Sequence, residues 1–464
     1  MTTTFLAALL VQCVMVTLLR HRLGRRWLRR PVTMLVLASV IELGVGPALL
    51  AVPAIAKNNI DSLGIKPGFI DSADLIMSLS MLALTLAYLF TRPERTVTTE
   101  RPADRIIVAK ALDWRLLVVA CIPLTLLTAA GRGYNDGASD GPSTSLATSL
   151  VTTFFVVVIV VAAAAFLMRH GTRWFLLVLI IQSVVLGLAG ERTPVLIDAA
   201  ALIVMLLFAG LRVPVLQLAA TAVLSVLIVL SISGVRVQQS RNLYYQDSGV
   251  SSRMSALANG LSTAGGPQGS TDTPGLVTQF AIRISSVDFG GAILQSVSEG
   301  QPRLSPAYVP ESLLLAVPSF IWPTKLNREV ALDPALSQVN TFGLQDINLI
   351  PGLPGLYMGF LAPLWLVALF ALLGAIFGWF ERWLLRECTP ARIVLLGGAV
   401  TAALGLEAGL PVMLVQMRSA SALALLVYVV GVVRGRARSA SLWYSPTIPD
   451  HAAMPQATVQ FPEI

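Results

Sequence analysis

"RHRLGRRWLRR", residues 20–30, packs six arginines into one short stretch between two apolar runs, 3–19 and 31–54. Runs near 20 apolar residues are what a helix needs to cross about 30 Å of hydrocarbon. Short loops rich in arginine between such runs stay on the cytoplasmic side. The stretch therefore reads as the inner hairpin of a membrane protein, with the N-terminus outside.

Working outward, further apolar runs occur at 73–91, 116–130, 147–168, 174–190, 194–211, 213–234, 350–380, 391–411 and 412–433. The expectation is an all-α polytopic membrane protein with about eleven transmembrane helices. Composition agrees: 55% of residues are hydrophobic and 12% charged, against about 25% charged in soluble domains. Alternate loops repeat the arginine signal at 92–115, 169–173, Arg212, 382–392 and 434–438, and with 20–30 they hold 21 of the 33 basic residues. The opposite short loops hold Lys57, Lys66, Arg132 and Arg192. The net charge of +8 thus reports topology in the plasma membrane, with a cytoplasmic C-terminus, and gives no case for nucleic acid. The first apolar run has no basic stretch before it and no small-residue cleavage site, so it reads as an uncleaved helix.

Four regions follow. Residues 1–234 are expected to hold helices 1–8, 235–349 a long extracytoplasmic loop containing short helices, 350–433 helices 9–11, and 434–464 a disordered cytoplasmic tail. Loops this long are functional or disordered. "GVSSRMSALANGLSTAGGPQGSTDTPG" (249–275) reads as flexible linker. In 276–297, Val277, Phe280, Ile284 and Val287 form a helical stripe that suits the membrane surface. "PESLLLAVPSFIWP" (310–323) reads as a short apolar helix stopped by proline.

The outer face lacks several chemistries. His21, His170 and His451 all fall inside, and Cys13, Cys121 and Cys388 lie in helices or at the inner face. No disulfide, His or Cys metal site, or histidine base is expected outside, and no cofactor. Adjacent acids and D-x-D are absent from the chain, which argues against a glycosyltransferase that holds a divalent cation. Asp136 and Asp140 in "GYNDGASDG" read as a solvated turn.

In "GLAGERTPVLIDAA" (187–200), Pro194 suits the first turn of a helix and Arg192 stands just before it, facing outward. A helix N-terminus draws anions, and a guanidinium adds a rigid fork of donors matched to phosphate. The plainer alternative is an arginine snorkelling to lipid headgroups. Glu42, Asp198 and Glu407 fall within apparent helices, and Arg418 near the start of one. Such acids are functional candidates by default, although Glu42 and Arg418 also suit a structural pair. The long loop carries Arg236, Arg241, Arg253, Arg283, Arg303, Lys325 and Arg328 against eight acids; singly, each reads as a solvated surface residue.

The order of these features resembles the Wzy-type polymerases of O-antigen and exopolysaccharide repeat units, a group that also includes O-antigen ligases and the SEDS cell-wall polymerases. The resemblance covers about 187–365. "GERTP" is similar to the family's G-x-R turn, placing Arg192. "IRISS" is similar to its Q-R-f segment, placing Arg283. "PSFIWPTK" is similar to P-R-x-x-W-P-x-K-P, placing Trp322, Pro323 and Lys325, and "PGLPGLYMGFLAP" follows into a helix. Here Ser319 stands in the family's arginine position and Leu326 in that of its last proline, so another arginine, Arg303 among them, is left to do that work.

The resemblance implies metal-independent joining of undecaprenyl-pyrophosphate-linked glycans at the outer face. Arg192, Arg236, Arg241 and Arg283, with Trp322 and Lys325, would bind the substrate, and a further partner would set chain length. Ligases of the group use a histidine in this loop; none is present here, which favours a polymerase. The base is then a carboxylate, Glu191 or Asp288, with Glu311 and Asp346 also available. The competing reading is a transporter of lipid-linked glycan or another solute, with intramembrane acids as proton relays. Internal repeats would be expected of one, and none is evident.

Overall fold

A computed structural model describes residues 3–50, 64–91, 102–120, 122, 146–188, 193–221, 223, 285–317, 321–322, 334–344, 352–404 and 409–443. Every regular element among them is helical. The helices are α1 (Thr3–Leu23), α2 (Pro31–Val40), α3 (Pro67–Thr91), α4 (Pro102–Lys110), α5 (Leu146–His170), α6 (Phe175–Leu188) and α7 (Thr193–Phe208). From the long loop come α8 (Val287–Ser298), α9 (Tyr308–Ser312) and α10 (Pro334–Phe342). The chain ends with α11 (Gly352–Met358), α12 (Pro363–Arg386), α13 (Pro390–Leu404) and α14 (Gly409–Trp443). Proline opens many of these because its fixed φ and missing N–H cost nothing in a first turn. α2 continues through a π turn, Ile41–Val45, into Gly46–Leu50.

The protein is an all-α membrane protein. Thr3–Leu23, Pro31–Leu49, Pro67–Thr91, Pro363–Leu384 and Gly409–Val433 are long and apolar enough to cross a membrane. Val157–His170, Thr172–Ser183, Ala199–Phe208 and Pro390–Leu404 are shorter apolar helices over the side chains described. So, among the described residues, five of the eleven expected spans have full length and four are short. Those at 116–130 and 213–234 fall mostly outside the described residues.

The expected helix at 350–380 is broken. Pro363 cannot donate a backbone hydrogen bond, Ala362 before it is extended (φ −64°, ψ 155°), and 359–360 form a turn. Only the second piece, α12, is long enough to span. It exposes Trp365, Leu372, Ile376, Trp379 and Trp383 along one stripe. Trp365 and Trp383 are about 27 Å apart at 1.5 Å per residue, which suits aromatic belts at the two sides of a bilayer. The tail departs from expectation too, since α14 runs on through 434–443; residues 444–464 lie outside the described ones.

Buried apolar side chains form two groups. One joins α1, α2 and α3 to α8, α11 and α12, around Met15, Leu35, Met77, Phe289, Tyr357 and Phe370. The other joins α5 and α7 to α13 and α14, around Val161, Met205, Val394 and Ala420. Within the first, α3 and α12 share the most extensive helix–helix contact. Gly374 and Gly378, a G-x-x-x-G pair, let the backbones meet. A Cβ added at Gly374 would lie 2.0 Å from the Leu84 carbonyl oxygen, and one at Gly378 2.1 Å from Thr91 Oγ1.

The two ends of the bundle differ. At one end Arg30 pairs with Glu381, which also accepts a 2.6 Å bond from Tyr88 Oη, and Arg382 donates to the Thr91 carbonyl. Also among the arginine-bearing loops, the Arg105 guanidinium lies 4.9 Å over the Phe208 ring, Trp114 packs edge-on to Phe166 and His170, and Thr172 Oγ1 bonds the Arg212 carbonyl. These contacts link loops that the arginine pattern puts on one side. At the other end Lys66 and Gly64 bond the Gln295 carboxamide, and Lys66 lies 3.8 Å from Glu299. Residues 64–66 and α8 thus share an end. Which end faces the cytoplasm rests on the arginines.

Candidate functional site

α8 begins at Val287, and residues 276–284 of the expected stripe lie outside the described ones. It does not lie on the surface: Val287, Asp288, Phe289, Gly290, Gly291, Ala292 and Ile293 are all buried. Two glycines allow this. A Cβ at Gly290 would come within 3.1 Å of Ala73 and Met77, and one at Gly291 within 3.0 Å of the Ile70 backbone. Apolar burial against α3 outweighs interfacial placement because both partners are stripped of water.

Asp288 is carried inward in the first turn of α8, 4% exposed, and accepts a 3.4 Å bond from Ser285 Oγ. Burial pushes its carboxyl up to about 6, against the lowering effect of the serine bond. A carboxylate with that affinity can accept a proton near neutral pH. Of the other acids named as bases, Glu311 is exposed, while Glu191 and Asp346 lie outside the described residues.

Beside Asp288, α2 and α11 converge on the start of α8. Gly352 has φ +54°, a conformation costly to any residue with a Cβ. An added Cβ would sit 2.7 Å from Ser286 Oγ and 3.0 Å from Glu42 Oε2. Ser286 is fully buried and its hydroxyl has no hydrogen-bond partner. Glu42 belongs to the π turn, and such turns recur at functional sites because they free backbone groups from the regular ladder. Arg418 donates to the Ala316 carbonyl, tying the long loop to α14.

Arg303 has a structural task. Its Nη1 donates to the Met358 carbonyl (2.6 Å) and the Leu361 carbonyl (3.0 Å), capping the end of α11. Gln338 bridges the same break, donating to the Leu356 carbonyl and accepting from the Gly359 N–H. Trp322 is half-buried beside exposed Ile321. Arg192, Arg236, Arg241, Arg283 and Lys325 lie outside the described residues, as does Glu407.

Two buried acids escaped the sequence reading, Glu381, paired with Arg30, and Asp74. Asp74 in α3 is 1% exposed and shares a polar layer with Gln12 of α1 and Ser78. An aspartate inside an apolar run, with serine four residues on, was the signal. Among the described residues no three His, Cys, Asp or Glu side chains gather as a metal would require. Comparison of the chain with protein-family models, curated proteins and solved structures finds no match.

Proposed function

We propose that the chain polymerises undecaprenyl-pyrophosphate-linked oligosaccharide repeat units at the outer face of the plasma membrane, the long-loop end facing outward. The observation that carries this reading is Asp288, a buried carboxylate of raised proton affinity on a loop helix seated into the bundle. In the reaction a hydroxyl of the acceptor glycan attacks the anomeric carbon of the donor. The new glycosidic bond forms as the bond to pyrophosphate breaks. Asp288 takes the hydroxyl proton, with Glu191 as the other candidate, and undecaprenyl pyrophosphate departs as the anion. Arg192, Arg236, Arg241 and Arg283 balance that charge in place of a metal, while Trp322 and Lys325 hold the glycan and phosphate. A protein partner would set chain length.

The test is the purified chain in detergent with lipid-linked repeat units, EDTA and no energy source. A ladder of extended products is expected from wild type and none from Asp288→Asn. Asp74, an acid buried between α1 and α3, favours a second reading, transport. Movement of lipid-linked glycan across vesicle bilayers without any extension would establish that reading and defeat the polymerase.

A further inference from the structure

At the arginine-bearing end, two contacts join three connections that lie far apart in the chain. The Trp114 and His170 rings meet edge-on with centroids 5.5 Å apart, and Thr172 Oγ1 donates to the Arg212 carbonyl at 3.3 Å. The stretches so joined, 111–117, 169–175 and 209–216, carry four arginines (Arg115, Arg169, Arg173 and Arg212) and one acid, Asp113. All four arginines are exposed. Arg105 at the same end is buried over the Phe208 ring and so serves packing, whereas these four hold their charge outward.

Two of them stand at the head of apolar stripes. On α6 the exposed side chains after Arg173 are Trp174, Leu177 and Ile181, at spacings of three and four, hence on one face. Phe175 and Leu179, on the other face, are buried in the bundle. A further helix begins at Val215, three residues after Arg212. Its exposed positions Val215, Ala219 and Val223 repeat every four residues, while Leu218 packs against the core. The Thr172–Arg212 bond ties the heads of the two stripes together. Each stripe thus offers a guanidinium at the membrane surface and bare hydrocarbon running inward from it.

We propose that Arg173 and Arg212 bind one anionic phospholipid of the adjoining leaflet, its acyl chains lying along Leu177 and Ile181 of α6 and Val215 and Val223 of the following helix. A guanidinium fork matches the oxygens of a phosphodiester. Arg115 and Arg169 strengthen the field that selects a headgroup of net negative charge. The apolar stripes select an amphiphile over a free phosphate, which has nothing to place on them. The site lies apart from Asp288, and its occupancy is read by melting, so it stands or falls independently of the proposed reaction.

The experiment is thermal unfolding of the purified full chain in neutral detergent at fixed ionic strength. Phosphatidylglycerol, phosphatidylcholine or inorganic phosphate is titrated in. Wild type is compared with Arg173→Gln/Arg212→Gln and with Arg20→Gln/Arg22→Gln, which removes two exposed arginines from the end of α1. Wild-type Tm should rise saturably with phosphatidylglycerol, as for any ligand that binds the folded state. Half-saturation should need on the order of thirtyfold more lipid in the first double variant and be unchanged in the second. Equal weakening in both variants would mean a diffuse charge effect and overturn the site. An equal rise with phosphatidylcholine, or with inorganic phosphate, would overturn the anionic lipid, as would no rise at all. Should the first double variant melt below wild type without lipid, the single variants replace it. Each should then need about fivefold more lipid, and an unchanged half-saturation in both overturns the proposal.

Discussion

Gly374→Ala is the sharpest test of how the bundle is assembled. The new methyl would stand 2.0 Å from the Leu84 carbonyl oxygen, where ordinary contact begins at 3.4 Å. α12 must therefore retreat about 1.4 Å from α3, since the obstacle is backbone and has no rotamer to yield. Glu381 lies two turns further along α12 on the same face, and its 2.6 Å bond from Tyr88 would stretch to about 4 Å, beyond hydrogen-bond range. Overpacking costs about 1–3 kcal/mol, and a lost bond to a charged group about 1.5–3 kcal/mol. Relaxation trades one loss against the other, so roughly 2–4 kcal/mol is expected. For a chain of this size that lowers Tm by on the order of 2–4 °C. The assay is scanning fluorimetry of wild type and variant in one detergent, with Gly431→Ala as control. Nothing lies within 4 Å of a Cβ at Gly431, and alanine favours a helix, so the control should melt at or slightly above wild type. A Gly374→Ala protein that melts with the control would refute the backbone-close α3–α12 contact.

The acid limb of the activity profile should report Asp288. Wild-type rate rises through about pH 6 as the carboxylate forms, and Asp288→Asn should be inactive throughout. Because the folded protein holds this proton more tightly than the unfolded chain, the stability that Asp288 lends is full at acid pH. It is lost as pH rises from about 4 through 6, which the melting difference between wild type and variant would trace. Arg30→Ala leaves Glu381, 5% exposed, with Tyr88 alone, and should cost about 3–5 kcal/mol in melting assays, whereas Arg30→Lys should recover part of it. Arg192→Ala should lower polymerisation on the order of a hundredfold, the equivalent of roughly 3 kcal/mol, and Arg192→Lys nearly as much, with normal levels of protein in the membrane; polymer of wild-type length and yield would return Arg192 to a headgroup anchor. Cysteines at Ser252 and Ser262, in a chain otherwise free of cysteine, should react with an impermeant maleimide on intact cells, and labelling that needs lysis would invert the topology.

The helical class and the longer apolar runs were legible in the sequence, because composition reports membrane helices directly. What stayed hidden depends on contacts between distant segments. The stripe ending at Val287 has the same period whether it meets lipid or α3; Gly290 and Gly291 decide between them, and their meaning needs Ile70 and Ala73 opposite. The break before Pro363 was visible as a proline but lost within a continuous apolar run, since hydropathy does not register a missing N–H. The Gly374–Gly378 pair was likewise blurred by helical apolar residues around it. Of the site, Asp288 was named as one base among several, and burial is what sets it apart from Glu311. Asp74 was passed over inside its run, its neighbour Gln12 being 62 positions away.

The bridge between Arg30 and Glu381 spans 351 positions of chain, and that distance is also a delay. At about 5–20 residues per second, a ribosome needs roughly 20–70 s to deliver Glu381 after Arg30. For most of that interval α1, α2 and α3 are already made, Arg30 lacks its counter-ion, and the furrow along Leu84 and Tyr88 that Gly374 will enter is open to lipid. The first three helices must therefore persist in the bilayer as an unfinished assembly, and the arrival of α12 closes both defects in one step.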